Sequence, residues 1–282
     1  MRVVSFKQGE RRSFGVLIGD RIADLGACWP SLKTAIAAAT TAAQLQLAAS
    51  TAPMLSLAEI ELDLPVPDAD RFICAGLNFR AHAMESGHQD TPKQPSVFLR
   101  SASTFVPHGH PILKPEWSDS FDYECEFAVV IGRGGRHIRP EDAMDHVFGY
   151  TLLMDGSMRD VQFGHSLAAG KNFFASGSIG PWIVTADEIE DPTKLQLVGR
   201  VNGELRQSAP LSDLIFDIPT LIAYWSRVDA LSPGDLISVG TPSGVGFAMD
   251  PKRFLQPGDM VETEVVGIGM LRNPVAADKP CI

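Results

Sequence analysis

The sequence predicts an α+β fold that is mainly β, with a small N-terminal module ahead of a larger domain. Turn-forming residues are frequent, because the 282 residues include 25 glycines and 20 prolines. From about residue 97 onward, apolar runs of strand length alternate with Gly/Pro turns. Only one segment of that region, IPTLIAYWSRVDAL, has the spacing of apolar residues that is typical of an amphipathic helix.

The N-terminal part combines strands with one helix. Residues 1–25 are typical of short strands, and Gly19-Asp20 is typical of a tight hairpin turn. The Ala- and Leu-rich segment 31–50 predicts a helix that begins after Ser31 as its N-cap. The Pro/Asp-rich stretch LDLPVPDADR, residues 62–71, indicates a connector. We therefore expect a small N-terminal α/β domain, 1–66, and a catalytic domain, 67–282.

The larger part begins with the apolar run FICAG and a helical segment, NFRAHAMESG, that ends near Gly87. The predicted strands that follow are SVFL, CEFAVVIG, GYTLLMD, GPWIVTA, LQLVGRVNG, DLISVGTP and MVETEVVGIGML.

Composition excludes several classes of protein. A formal charge of −10 argues against a nucleic-acid partner, which requires a basic surface. The four cysteines, Cys28, Cys74, Cys125 and Cys281, lack CxxC spacing, and no secretory leader is recognisable. This favours reduced thiols and a cytoplasmic location. The uncharged stretch 34–58 is weakly hydrophobic and contains Pro53, so we expect no membrane span.

Acidic residues cluster in the stretch FDYECEFAVVIG, residues 121–132. Asp122, Glu124 and Glu126 are two residues apart, so on one strand their carboxylates would project from the same face. A solvated strand face is the plain interpretation. However, the strand continues as an apolar run on both faces, which implies burial, and Asp155 ends a second apolar run. Buried carboxylates that converge suit Mg²⁺ or Mn²⁺.

Other residues could carry chemistry beside these acids. His82 and Glu85 have the i, i+3 spacing of one helix face, where a carboxylate can orient a histidine as a general base, although surface His–Glu pairs are common. Lys171 is the one charge in AAGKNFFASGSIGPW, which is typical of a lysine that reaches solvent or faces an anion. Arg159 and Gln162 follow Asp155 at helical spacing.

Three glycine-rich stretches do not fit nucleotide-binding motifs. GRGGRH and GTPSGVG lack the G-x-G-x-x-G order, and GHSLAAGKN has one residue too many between its glycines and Asn172 after the lysine. We therefore expect no nucleotide-phosphate loop.

Taken together, these segments resemble the fumarylacetoacetate hydrolase family and, within it, the acylpyruvase branch. The resemblance covers about 70–275 and rests on AGLNFRAHAMESG, FDYECEFAVVIG, GYTLLMDGSMRDVQ, GKNFFASGSIGPWIVTADEI, VNGELRQ, LSPGDLISVGTPSGVG and LQPGDMVETEVVGIGMLRNPV. It implies a mixed-β sandwich or roll with a smaller N-terminal domain, and a homodimer. The common DVTARD is DGSMRD here and KSFDTF is KNFFAS, which places the identity of the substrate in doubt.

The resemblance also implies roles for individual residues. It implies that Glu124, Glu126 and Asp155 are the metal ligands and that Asp122 lies outside the ligand set. It implies that Lys171 and a His82–Glu85 pair on a mobile lid are the catalytic groups. The substrate contacts that it implies are Arg80, Arg159, Gln162, Gly240 and Thr241, and Pro242 belongs to the same loop.

The activity expected from the resemblance is hydrolysis of a C–C bond in a 2,4-dioxo acid, an acylpyruvate or fumarylpyruvate, by way of a pyruvate enolate. The small 2-oxo acid would bind the metal through its carboxylate and 2-carbonyl oxygen atoms. An oxaloacetate-type decarboxylase would form the same enolate, and isomerases or hydratases of 2-hydroxy-dienoates share the scaffold. A non-catalytic binding relative is the alternative from another class, which the presence of His82 and Glu85 disfavours.

Overall fold

The computed structural model of the chain describes residues 1–88 and 90–279. Its strands are β1 (Arg2–Gln8), β2 (Arg11–Ile18), β3 (Arg21–Asp24), β4 (Met54–Ser56), β5 (Glu61–Leu62), β6 (Phe72–Gly76), β7 (Ser96–Arg100), β8 (Phe105–Pro107), β9 (Ile112–Pro115), β10 (Phe121–Asp122), β11 (Cys125–Ile131), β12 (Val147–Met154), β13 (Ser157–Met158), β14 (Gly177–Thr185), β15 (Gln196–Val201), β16 (Glu204–Pro210), β17 (Leu236–Ser238), β18 (Met260–Val265) and β19 (Gly269–Asp278). Its α-helices are α1 (Leu32–Ala37), α2 (Ala42–Ala49), α3 (Arg80–Glu85), α4 (Arg159–Gly164), α5 (Leu167–Lys171) and α6 (Ile218–Val228).

Two mixed sheets form the body of the protein. The larger has the order β4-β3-β2-β1-β14-β12-β11-β17-β6-β7, with β5 paired to β1 and β8 to β14. The smaller has the order β16-β15-β18-β19-β9, and β10 pairs separately with β13. Most pairs are antiparallel, whereas β17–β6, β14–β8 and β19–β9 are parallel. This architecture confirms the predicted α+β, mainly β fold.

Strand β11 lies in the middle of the larger sheet, and all seven of its residues are buried. Phe127 and Val129 belong to the core shared with the smaller sheet. Ala128 and Val130 belong to the core shared with the N-terminal strands and α1. The burial of both faces, predicted from the apolar run, is confirmed. Charged residues at the beginning of β11 are therefore removed from water as well.

The N-terminal strands extend the larger sheet. The β2–β3 hairpin turns at Gly19-Asp20 as predicted, with Ile18 paired to Arg21. Strand β1 also pairs with β14, through Arg2↔Val184 and Val3↔Ile183. The division into domains 1–66 and 67–282 stays a prediction.

The prediction of one helix over 31–50 is wrong, because this segment forms the two helices α1 and α2. The Ser31 hydroxyl caps α1 as expected, by accepting a hydrogen bond from the Thr34 amide. Ala39 then adopts a left-handed conformation (φ 54°). The Thr41 hydroxyl accepts from the Gln44 amide and begins α2. Threonine side chains that bond to the backbone compete with a continuing helix, which accounts for the break.

The other predicted helices are confirmed as α3 and α6. Asp217 caps α6 by accepting a hydrogen bond from the Thr220 amide at 2.9 Å.

No α-helix within the described residues is long and apolar enough to cross a bilayer. Cys28, Cys74 and Cys125 are free thiols. Cys281 lies outside the described residues.

We expect Phe127→Ala to lower the free energy of unfolding by about 3–5 kcal/mol, because the ring is fully buried in the central strand. The ring also stacks on Tyr150, with centroids 5.2 Å apart. Phe174→Ala is the matched control, since its ring is 67% exposed. It should change stability by no more than about 0.5 kcal/mol. Denaturant unfolding of both variants checks this, and equal losses would contradict the central position of β11.

Candidate metal centre and active site

The candidate site lies at the ends of four neighbouring strands, β12, β11, β17 and β6. Asp155 follows β12, Glu126 is the second residue of β11, Ser238 ends β17 and Cys74 lies in β6. The sheet register aligns them, because Glu126 is opposite Leu153 and Ser238 is opposite Cys74. All four side chains are 1% exposed or less. Residues distant in sequence therefore meet in one buried cluster.

The acids predicted as metal ligands are neighbours in this cluster. One carboxylate oxygen each from Glu126 and Asp155 lies within 4.8 Å of the other and of Cys74 Sγ. Glu124 is adjacent, since its carbonyl oxygen accepts a hydrogen bond from the Asp155 amide at 2.8 Å. Its carboxylate points to two cations, Lys171 Nζ at 2.6 Å and Arg159 Nη2 at 2.7 Å. The structure thus places Cys74 beside two predicted ligands and places Glu124 among the cations.

Three buried cations neutralise most of the negative charge. Lys171 Nζ lies between Glu124 and Asp155, 2.8 Å from the Asp155 carboxylate. Arg100 donates to the other Asp155 oxygen, and to Ser176 Oγ at 2.8 Å. Arg159 Nε donates to Asp122 at 2.8 Å.

Glu126 is the exception to this pairing. Within the described part of the chain it forms no ion pair, and it accepts a hydrogen bond from the Ser238 hydroxyl. Four buried carboxylates, those of Asp122, Glu124, Glu126 and Asp155, therefore face three cations. The cluster carries an excess negative charge away from water.

The pKa values of the two glutamates differ in direction. Burial alone would raise the pKa of Glu124, but Lys171, Arg159 and His82 outweigh burial and hold it at about 2. Burial, Asp155 and Glu124 raise the pKa of Glu126 well above its usual range. Burial tends to lower the pKa of Lys171, yet Asp155 and Glu124 raise it, so the amine is charged. Glu126 is therefore the carboxyl group whose ionised form the metal-free centre stabilises least.

The donor set fits a hard divalent cation. Carboxylate oxygens are the ligands that Mg²⁺ and Mn²⁺ prefer, and a cation would offset the charge of Glu126. Glu124, Glu126 and Asp155 are the residues that would hold it.

Asp122 lies outside this donor set. The three acids do not share one continuous strand as expected, because β10 ends at Asp122 and β11 begins at Cys125. The Asp122 carboxylate is buried and binds Arg159 and the backbone amides of Gly246, at 2.8 Å, and Phe247, at 3.1 Å. Asp122 therefore joins the loop after β17 to Arg159, whose guanidinium also contacts Glu124.

The predicted His82–Glu85 pair forms on α3. His82 Nδ1 is 2.8 Å from Glu85 Oε1, and Glu85 Oε2 accepts from the Gly244 amide at 2.9 Å. Gly244 has a φ of +105°, and a Cβ there would lie 1.9 Å from the Arg206 carbonyl oxygen. A side chain at position 244 would thus displace the loop that holds Glu85. His82 is 4% exposed and faces the cavity described next.

A cavity of about 150 Å³ connects the pair to the charged cluster. It is lined by Ala75, Gly76, Leu77, His82, Ser86, His88, Ser96, Phe98, Glu124, Glu126, Arg159, Gln162, Phe163, Leu167, Lys171, Thr241 and Phe247. Its wall therefore combines two histidines, two carboxylates, two cations and apolar side chains.

The predicted substrate contacts fall into two groups. Arg159, Gln162 and Thr241 line the cavity, and Arg159 Nη1 donates to Gln162 Oε1 at 2.9 Å. Arg80 lies on the exposed face of α3, where it donates to Thr91 Oγ1 at 3.2 Å. Gly240 has a φ of +94°, and a Cβ added to it would lie 2.9 Å from the Ala75 carbonyl oxygen. The structure brings the first three to the site and places Arg80 and Gly240 outside the cavity wall.

The sequence interpretation missed three residues of the cluster, Arg100, Cys74 and Ser238. Arg100 ends the apolar run SVFL, as Asp155 ends GYTLLMD, and this similarity could have revealed it. Cys74 and Ser238 lie inside short apolar runs, where local sequence carries no comparable pattern. Their positions follow from the pairing of β6, β17 and β11.

This chain belongs to the fumarylacetoacetate hydrolase family, since residues 71–276 match the family model described as fumarylacetoacetate (FAA) hydrolase C-terminal. The oxaloacetate tautomerase YisK of Bacillus subtilis is 44% identical over 227 residues, 79% of this chain and 75% of that protein. The mitochondrial oxaloacetate tautomerase fahd2 of Xenopus laevis is 38% identical over 288 residues, 98% of this chain and 90% of that protein.

Solved structures of the family superpose closely. A fumarylacetoacetate hydrolase from Exiguobacterium antarcticum has a TM-score of 0.87 at 34% identity, covering 98% of this chain and 99% of that one. Maleylpyruvate hydrolase from Sphingobium sp. SYK-6, in complex with manganese(II) and pyruvate, has a TM-score of 0.83 at 31% identity, covering 99% and 100%. A 5-carboxymethyl-2-hydroxymuconate delta-isomerase from Mycobacterium smegmatis has a TM-score of 0.80 at 30% identity, with the same coverage.

These comparisons place the chain in a family of enzymes that includes tautomerases, isomerases and hydrolases. They do not confirm the prediction of a C–C hydrolase, and the names of the relatives favour its alternative, an isomerase. The homodimer and the cytoplasmic location stay predictions.

We expect Glu126→Gln to raise the stability of the chelator-treated protein, by about 1–3 kcal/mol at about pH 8, because it removes a carboxyl group that folding makes harder to ionise. The gain should shrink toward about pH 5. In the wild type the unfolded chain loses the Glu126 proton near the ordinary glutamate pKa of 4.5, whereas the folded chain keeps it to a higher pH. The contribution of Glu126 to stability therefore falls as pH rises through this window, and the glutamine variant lacks that loss.

The control is Glu124→Gln, which should destabilise the same protein because Lys171 and Arg159 each lose an ionised partner. Thermal unfolding of both variants at the two pH values checks these signs. A Glu126→Gln variant that is less stable than the wild type at the higher pH would contradict the assignment of Glu126 as the carboxyl group whose ionised form is stabilised least.

Proposed function

We propose that the chain is a metal-dependent keto–enol tautomerase of oxaloacetate or of a closely related small 2-oxo dicarboxylate. The observation that carries this proposal is the buried His82–Glu85 pair on the wall of a small cavity that also exposes Lys171, Glu124 and Glu126. The names of the relatives support it. When bound at Glu124, Glu126 and Asp155, Mg²⁺ or Mn²⁺ supplies a Lewis acid that polarises the 2-oxo group.

The reaction moves one proton and neither gains nor loses other atoms. In the keto-to-enol direction, C3 gives up a proton and the oxygen on C2 gains one. Because Nδ1 of His82 is bonded to Glu85, the ring is held in one orientation and Nε2 is left to take the proton from C3. The buried ammonium of Lys171 lies in the same wall and stabilises the negative charge that develops on the C2 oxygen.

The remaining polar groups of the wall would orient the substrate. Gln162 and Thr241 offer an amide and a hydroxyl to a carboxylate, and Arg159 supplies positive charge next to Gln162. The apolar side chains Phe98, Phe163 and Phe247 limit access of water to the reacting carbon.

The size of the cavity favours a short substrate. A volume of about 150 Å³ is that of a cavity in another protein that holds benzene. Oxaloacetate and acetylpyruvate have equal numbers of non-hydrogen atoms, so size separates their reactions only through the additional water that hydrolysis requires. Tautomerisation needs no water, so the cavity suits proton transfer better than hydrolysis.

Hydrolysis of an acylpyruvate is the second candidate function. The His82–Glu85 pair that would move a proton could also activate a water. The superposition on a maleylpyruvate hydrolase supports this candidate as well. Decarboxylation of oxaloacetate would pass through the same enolate and differs in releasing CO₂.

A product assay separates the three reactions. With Mg²⁺ or Mn²⁺ present, we expect the protein to accelerate conversion of enol-oxaloacetate to its keto form without release of CO₂ or pyruvate. The loss of absorbance of the enol measures this conversion. Acetylpyruvate and fumarylpyruvate should be cleaved with a far lower kcat/KM. Cleavage of either at a kcat/KM above that of tautomerisation would replace the proposal with the hydrolase.

We expect His82→Gln to lower kcat for tautomerisation by about 10²–10⁴-fold, because it removes the general base. Glu85→Gln should lower kcat less, since the imidazole of His82 keeps its basic Nε2 and loses only the charged partner of Nδ1. His165→Gln is the control, because this histidine is exposed just after α4. Mn²⁺ affinity should be unchanged in all three variants. A His82→Gln variant with the wild-type rate would contradict the assigned base.

A further inference from the structure

The thiol of Cys74 lies beside the carboxylate centre and takes no part in the reaction proposed above. Its sulfur is within 4.8 Å of a carboxylate oxygen of Glu126 and of one of Asp155. The side chain is 0% exposed, and its thiol forms no hydrogen bond to any group in residues 1–88 and 90–279. The sulfur therefore faces the charged cluster without a protein partner.

Strand pairing sets this position. Cys74 in β6 is opposite Ser238 in β17, and the Ser238 hydroxyl donates to the Glu126 carboxylate. Glu126, which is 1% exposed, forms no ion pair with any of the described side chains. A carboxylate without an ion-pair partner and a thiol without a hydrogen-bond partner thus share one small buried volume with Asp155.

Sulfur and oxygen ligands select different metal ions. Mg²⁺ and Mn²⁺ prefer oxygen, whereas Zn²⁺, Co²⁺ and Cd²⁺ bind thiolate and carboxylate together. For tetrahedral Zn²⁺, bonds of about 2.3 Å to sulfur and about 2.0–2.2 Å to oxygen place two ligand atoms of one ion roughly 3.4–3.7 Å apart. The three ligand atoms lie within 4.8 Å of one another without the ion, so its binding requires them to draw together by up to about 1 Å.

We propose that Cys74, Glu126 and Asp155 form a second ligand set in this centre, which binds thiophilic divalent ions with Cys74 as a thiolate ligand. As the sulfur–metal bond forms, the S–H bond breaks and its proton leaves to solvent, with no change of oxidation state. Glu124 stays in its ion pairs with Lys171 and Arg159. Mg²⁺ and Mn²⁺ bind through carboxylates alone. The inference concerns the ion and is independent of the reaction catalysed.

Cobalt spectroscopy of the chelator-treated full-length protein tests this ligand set. On addition of Co²⁺ we expect a thiolate-to-cobalt charge-transfer band in the near ultraviolet. Cys74→Ser should abolish the band and weaken Cd²⁺ binding by about tenfold or more. The same substitution should leave Mn²⁺ affinity, measured by electron paramagnetic resonance, within about twofold. Retained Mn²⁺ binding also shows that the variant is folded.

Cys125→Ser is the matched control. Cys125 is buried between the two glutamates in sequence, but its sulfur lies 3.7 Å from the Glu262 carbonyl oxygen, so the band should persist. A variant that keeps Cys74 as its sole cysteine, Cys28→Ser/Cys125→Ser/Cys281→Ser, should also retain the band. The proposal is overturned if wild-type protein shows no charge-transfer band, if the sole-cysteine variant lacks it, or if Cys74→Ser retains it.

Discussion

The charge of Glu126, buried at the beginning of β11 without a cation among the described residues, is the constraint on which the site depends. Strand β11 is covered on both faces, so this carboxylate is 1% exposed and meets solvent only through the cavity that it lines. Asp122, Glu124 and Asp155 have cationic partners, and Glu126 has a hydroxyl. Such a group must either keep its proton or acquire a cation. A divalent cation bound beside Glu126 would meet the same electrostatic requirement.

The loop after β17 links this charge to the histidine that faces it. Its Gly244 amide binds Glu85, which orients His82, while its Gly246 and Phe247 amides bind Asp122. Asp122 in turn holds Arg159, which contacts Glu124. One loop therefore positions both the candidate base and a cation of the metal centre. A displacement of this loop would disturb both at once.

Local sequence pattern was enough to locate part of this site. The acids Glu124 and Glu126 precede an apolar run, Asp155 ends another, and His82 and Glu85 share a helix face. These features depend on residues close in sequence, and the structure brings them together. Local pattern also singled out Lys171 and Arg159, the family resemblance gave them roles, and both are paired with the acids.

Other features depend on contacts that local sequence does not encode. Cys74 and Ser238 reach the cluster through the pairing of strands more than 160 residues apart in sequence. Arg100 meets Asp155 across 55 residues. The break between α1 and α2 arises from side chain–backbone bonds that outweigh propensity. Local sequence does not distinguish hydrolysis from tautomerisation. The names of the relatives and the small cavity favour tautomerisation.

Binding of Mn²⁺ to chelator-treated protein, followed by electron paramagnetic resonance, tests most directly whether the buried charge forms a metal centre. The account predicts one Mn²⁺ per chain, displaced by Mg²⁺, with binding lost in Asp155→Asn, which keeps the shape of the side chain and removes its charge. No saturable binding by the wild type, or an unchanged affinity in Asp155→Asn, would contradict it.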